Sequence, residues 1–391
     1  MSKIIDIHAR ELIDYRGNTN IYLEILLQNG VRSFSYVPIN EKYDKYFVKK
    51  LIKLINTKIC KYLLGLDSNY QYKIDKLMIE IDGNNKYNLE AILAVSIAVT
   101  KVSAKNNGLE IYEYISELYG KPGKYCMPVP IMNIINFDIH ANNIDIIELM
   151  IQPIKAKNFS EALRIVAYII YNLKNILYTK GLYKFCINNI LYNTDILEII
   201  HNFVNKSGYN LEKEIVIAIN CASSKFYKNG KYIFDGKIFN TISFINYLLE
   251  LIKKYNIFYI EDAINELDCT GLKLLNDKIN KKIQIVNDNL FIKKELEKGK
   301  DNYNSILIKL NKIGTITETI NVIKIAKKLN YTVIISNKGE PDDTIIYDLS
   351  VGTCTGQIKF FFNSAYKYNR LLLIENQLKI NHIPYGWGLI N

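Results

Sequence analysis

Six short apolar runs recur through the second half of the chain: IVIAIN (215–220), IFYIED (257–262), IQIVND (283–288), SILIKL (305–310), TVIISN (332–337) and QIKFFF (357–362). Each is continuously apolar rather than alternating, the mark of a strand buried on both faces. The stretches between carry helical periodicity. TITETINVIKIAKKLN (315–330), for example, sets Ile316, Ile320, Ile323 and Ala326 on one face. Strands of this kind need helices to cover them, so the repeat predicts an α/β fold with a parallel sheet. Six or more strands within about 260 residues favour a closed (β/α) barrel over an open sheet, which stays the alternative.

The first third reads differently. From Lys3 to about Val37 the runs are short and β-like, with turn signals at YRGN (15–18) and QNG (28–30), and predict a small antiparallel meander. From about Asp44 to Leu118 the pattern is helical. NLEAILAVSIAVTKVSAKNNG (88–108) places Leu89, Leu93, Ile97 and Val99 to Val102 near one face and stops at Gly108, a C-cap residue. YGKPGKYCMPVP (119–130) holds three of the seven prolines and is the expected boundary. The reading is an α+β cap domain over 1–120, a meander plus helices, followed by the barrel over 121–391.

Charge narrows the partners. The net charge is +11, but only Arg10, Arg16, Arg32, Arg164 and Arg370 are arginines, and the lysines are scattered without a polybasic block. A nucleic-acid partner is therefore not expected. The six cysteines lie far apart with no CxxC pair, which indicates neither a zinc site nor a disulfide framework. No uncharged apolar run of about 18 residues occurs, so no membrane span is expected. MSKIIDIHAR, with Asp6 and His8 inside its first apolar stretch, lacks a signal-peptide core, and a cytoplasmic location is expected.

The ends of the apolar runs are chemically distinctive: Asn220, Glu261 with Asp262, Asp288, Lys309, Asn337 with Lys338, and Lys359 near the start of its run. In a (β/α) barrel such positions converge on one mouth. Carboxylates and lysines together suit an anionic substrate held through a hard cation, because Mg²⁺ prefers oxygen ligands and an ammonium neutralises what remains. Any one of these charges, taken singly, also fits a strand that ends in solvent.

The segments ARELIDYRGN (9–18), LEAILAVSIA (89–98), MPVPIMNIIN (127–136), ELMIQP (148–153), ILIKLNKIGTITET (306–319) and VGTCTGQIK (351–359) give the chain a resemblance to enolase over essentially its whole length. The resemblance implies a cap domain, an atypical eight-stranded barrel, a homodimer, and the Mg²⁺-dependent dehydration of 2-phosphoglycerate, a small phosphorylated acid, to phosphoenolpyruvate in glycolysis. It assigns the catalytic base to Lys309 and the substrate-gripping lysine to Lys359. Glu261 and Asp288 match two of three Mg²⁺ carboxylates, Glu148 an acid-side glutamate, and His140 a loop histidine. The chemistry it implies is removal of a weakly acidic proton next to a carboxylate, with the charge met by fixed cations.

Several positions depart from the family pattern. Asn220 stands at the third metal aspartate; its amide oxygen can ligate Mg²⁺ but brings no negative charge. Ile147 replaces a glutamine beside Glu148. GLYKFCINNILYN (181–193) is shorter than the family's acid loop, and Asn189 falls at its proton-donor glutamate. Losing a positioned general acid costs about 10²–10⁴ in rate. ISNKGE (335–340) replaces a His-Arg-Ser trio, leaving Lys338 to meet a phosphate as a point charge without arginine's fork. Pro38 runs straight into INEKYDKYFVKK with no Ser-Gly-rich lid, and FFFNSAYKYNR lacks the Arg-Ser pair expected after GQIK. Two readings stand: a working but impaired enolase, and a catalytically inactive enolase-fold protein with a binding or structural role. A third, proton abstraction from a different carboxylate substrate, fits the cap and barrel segments less well.

Overall fold

The computed structural model describes residues 2–14, 17–39, 45–83, 88–136, 145–179, 193–211, 213–279, 283–289, 293–299, 301–336, 343–361, 365–378 and 385–386. The chain forms two compact units. One comprises Met1–Cys126, Ile308–Ile325 and Ser336–Cys354, the other Met127–Leu307, Ala326–Ile335 and Thr355–Asn391.

In the first unit, β1 (Ile4–Ile13), β2 (Thr19–Leu27) and β3 (Arg32–Pro38) make an antiparallel meander in that order, as the turn signals predict. Period-two alternation sets its faces: Ile21, Leu23, Ile25 and Leu27 are buried, while Tyr22, facing outward, stacks on Phe34 with centroids 5.6 Å apart. The buried face meets the helix Leu89–Asn106, where Ser35 Oγ donates to the Ala94 carbonyl at 2.7 Å.

This helix differs from the one-faced reading, because its residues are buried on all sides from Ala91 to Thr100. The sheet covers one side. Another side meets Gln71, whose amide donates to the Ser96 carbonyl (3.2 Å), and the segment at Ile316, whose N–H donates to Ser96 Oγ (3.0 Å). The small residues Ala91, Ala94, Ser96 and Ala98 permit packing from several directions. Past its end, Gly108 takes φ +68, the left-handed conformation that glycine adopts at no steric cost.

The second unit is built on a closed eight-stranded barrel. Its first strands are β4 (Val129–Asn136), β5 (Glu148–Pro153) and β6 (Ile215–Asn220). A small three-stranded sheet follows, β7 (Tyr227–Lys228), β8 (Lys231–Phe234) and β9 (Lys237–Phe239). The barrel resumes with β10 (Ile257–Glu261), β11 (Gln284–Asn287), β12 (Ser305–Lys309), β13 (Thr332–Ser336) and β14 (Gly356–Phe361), and its order is β10-β11-β12-β13-β14-β4-β5-β6.

Two features correct the uniform strand-helix repeat. The strands β4 and β5 carry no such periodic signal, and β5 pairs antiparallel with both β4 and β6. A strand antiparallel to both its neighbours departs from the all-parallel sheet that repeated strand-helix crossovers would build.

A layer of fully buried side chains, one each from seven strands, fills the barrel: Ile131, Met150, Ala218, Tyr259, Val286, Leu307 and Ile334. Elsewhere Gln284 and Gln357 exchange amide hydrogen bonds at 2.8 and 3.0 Å, a reciprocal pair that satisfies both buried side chains. Outside the barrel, buried Glu375, on the helix Ala365–Leu378, accepts from the Phe159 and Ser160 amides (2.6 and 3.0 Å) and from Ser160 Oγ. It thereby caps the helix Phe159–Thr179 from a distant part of the chain. No described helix is long and apolar enough to cross a membrane.

Candidate functional site

Three adjacent strands bring polar side chains to one end of the barrel. Asn220 closes β6 and Glu261 closes β10, and the two are register partners. Because β5 runs the other way, its first residue, Glu148, pairs with Asn220 and arrives at the same end. Lys359, read near the start of its apolar run, lies within β14, paired with Ile131. Its long side chain spans the remaining distance.

The Lys359 ammonium sits 2.6 Å from Glu148 Oε2 and 2.6 Å from Glu261 Oε2. Asn220 Nδ2 donates to the same two groups, to Glu148 Oε2 at 2.9 Å and Glu261 Oε1 at 3.0 Å. Tyr259 OH donates to Glu261 Oε2 at 2.7 Å. Both oxygens of Glu261 are thus occupied by N–H or O–H donors. The cluster is largely dry, with Glu261 2 % and Lys359 6 % exposed.

Burial alone would pull the lysine down, but the charges of Glu261 and Glu148 together outweigh it and hold the ammonium well above the ordinary lysine range. Burial, reinforced by the Glu261 charge, pushes the Tyr259 phenol well up, so it stays a donor. Pairing of this kind offsets the desolvation of three charges only because each is also hydrogen-bonded.

The orientation of Asn220 follows from the local chain. Ala222 adopts φ +45, rare for a residue with a Cβ, and turns its N–H back onto Asn220 Oδ1 at 3.0 Å. This is an Asx-type turn. It claims the amide oxygen and leaves the nitrogen facing the two carboxylates; a flipped amide would set acceptor against acceptor and donor against donor. Asp262, just beyond Glu261, is likewise left-handed at φ +49.

Of the other expected residues, Asp288 follows β11 directly and is half-buried, and Lys309 closes β12 and is half-buried. His140, Lys338 and the Asn189 register lie outside the described residues. Sequence reasoning missed Tyr259. Its signal was present: it stands two residues before Glu261, on the same face of a strand.

A closed α/β barrel with a cap-type antiparallel sheet unit, and carboxylates and a lysine gathered at one end of the strands, defines a TIM-barrel protein of the two-domain kind. Two family models match the chain, "Enolase, N-terminal domain" over residues 4–115 and "Enolase, C-terminal TIM barrel domain" over 124–387. The chain belongs to the enolase family.

That family generally uses Mg²⁺. Magnesium requires a near-octahedral shell of oxygens that carry no competing hydrogen-bond donors. In this cluster Glu261 receives three donors, and Asn220 turns a nitrogen toward the carboxylates. Among the described residues, no three His, Cys, Asp or Glu side chains are grouped so as to hold a metal. The arrangement does not fit the ion.

Proposed function

We propose that this chain carries out an impaired enolase-type dehydration of 2-phosphoglycerate to phosphoenolpyruvate. The observation that supports it is the convergence of Lys359, Glu148 and Glu261 from β14, β5 and β10 in a buried cluster whose residue types suit a small phosphorylated acid. In this reading Lys309 takes the proton next to the substrate carboxylate. The electron pair left on carbon moves toward the carboxylate and then expels hydroxide, which Glu148 protonates after it has itself taken a proton from solvent. Lys359 supplies positive charge for the substrate acid, which competes for it with Glu148 and Glu261. A cytoplasmic homodimer with a cap over about 1–120 belongs to the same reading.

A second reading, a catalytically inactive enolase-fold protein, is favoured by one specific observation: the lysine meant for substrate is already held by two carboxylates. Charge-assisted bonds of this kind are strong, and a substrate must displace them.

One assay separates the two. The purified full chain, given 2-phosphoglycerate and Mg²⁺, is expected to form product slowly, followed by ultraviolet absorbance, with Lys309→Ala abolishing the signal. A rate indifferent to Lys309→Ala, or no product above background, leaves the inactive reading.

A further inference from the structure

The misfit with magnesium has a constructive side. We infer that the Lys359 ammonium and the Asn220 amide together replace the divalent cation at this end of the barrel, so that the folded chain neither binds Mg²⁺ there nor gains stability from it. The inference concerns the resting charge of the cluster and holds whether or not the chain turns substrate over.

The geometry carries it in three steps. First, two carboxylates this close repel unless a cation lies between them, and the Lys359 ammonium lies 2.6 Å from each. Second, the Asx-type turn ties Asn220 Oδ1 to the Ala222 amide, so the remaining terminal atom of the side chain faces Glu148 and Glu261. In an asparagine that atom is a nitrogen that donates; in an aspartate it is an oxygen that accepts and carries charge. A single near-isosteric exchange therefore converts the position from closing the cluster to opening it to a cation. Third, Tyr259 OH completes the donors on Glu261, leaving both of its oxygens satisfied without metal. Within the hydrogen-bonded group of Glu148, Glu261 and Lys359 one negative charge remains, and a dication that used it would have to displace the resident ammonium.

The test uses the full chain, Mg²⁺ and Mn²⁺ as probes, and no substrate. Thermal unfolding is recorded in chelator and in excess Mg²⁺, and Mn²⁺ binding is followed by loss of the free-ion electron paramagnetic resonance signal. The natural chain is expected to show no shift and no Mn²⁺ uptake. Asn220→Asp is expected to melt lower in chelator and to rise by about 5 °C when Mg²⁺ stands about a hundredfold above its Kd. Lys359→Met is expected to take up Mn²⁺ as well; if that variant does not fold, Asn220→Asp decides the matter alone.

Uptake of Mn²⁺ by the natural chain as tight as by Asn220→Asp overturns the inference. Silence in the natural chain and both variants overturns it too, since something other than Asn220 and Lys359 would then exclude the ion. Because no readout involves turnover, an inactive chain that passes this test refutes the proposed reaction while leaving the inference standing.

Discussion

Asp75 accepts hydrogen bonds from Gln71 Nε2 (3.0 Å) and from the Thr317 amide (3.1 Å), yet it is fully buried, and burial pushes its carboxyl up to about 6. Between about pH 4 and pH 6 the folded chain holds a proton that the unfolded chain has released. Stability therefore falls as pH rises through that window and stays lowered above it, by about 3 kcal/mol. An amide at this site keeps an acceptor for Thr317 and can donate to Gln71 Oε1, which has no hydrogen-bond partner. Relative to Asp75→Asn, the natural chain should lose about 3 kcal/mol between pH 4 and 7 in urea unfolding; a pH-independent difference refutes the account. Lys359 poses the opposite case, a charge whose removal is costly. Lys359→Met leaves Glu148 and Glu261 facing one another and is expected to cost about 3–5 kcal/mol. Adding Glu148→Gln should recover part of that loss, a coupling a double-mutant cycle would read.

The helix Phe159–Thr179 begins with amides that have no partner in their own helix, and Glu375 supplies one from far along the chain. Glu375→Ala should cost about 2–3 kcal/mol in denaturant unfolding. Amides of the first turn should exchange with deuterium earlier than the rest of that helix; unaltered protection there would mean the carboxylate is not the cap. Such tertiary caps leave no local trace, which is why sequence reading misses them. The strands β6 and β10 to β14 were readable because burial on both faces writes an unbroken apolar run. The strands β4 and β5 were not. Pro128 and Pro130 flank or interrupt the first, β5 is short and begins on a charge, and neither is followed by the strand-helix spacing that identified the others. Glu148 was accordingly found through resemblance alone, whereas Asn220 and Glu261 declare themselves as polar ends of apolar strands. Lys359 was read inside its run rather than at the end of it, and the reach of its side chain toward Glu148 and Glu261 is invisible to a reading that counts along strands.

The proline-rich stretch at 119–130 contains the point, after Cys126, where the first unit's leading segment stops, but nothing in the periodicity reveals that this unit also takes Ile308–Ile325 and Ser336–Cys354. Long-range membership is written in pairings such as Ser96 with Ile316, Asp75 with Thr317, and Lys101 with Asp343 at 2.6 Å, each joining residues more than two hundred positions apart. A fragment spanning 1–126 lacks every one of those partners. It should show weak helical circular dichroism, no cooperative melt and rapid exchange along Leu89–Asn106; a sharp transition would show that the later segments are dispensable.

That interleaving sets a timetable for synthesis. The ribosome delivers the meander and the apolar helix Leu89–Asn106 first, then spends about 10–50 s, at 5–20 residues per second, before Cys354 emerges. Through that interval the nascent chain displays a greasy surface whose permanent covering has not been made, the kind of surface that chaperones engage.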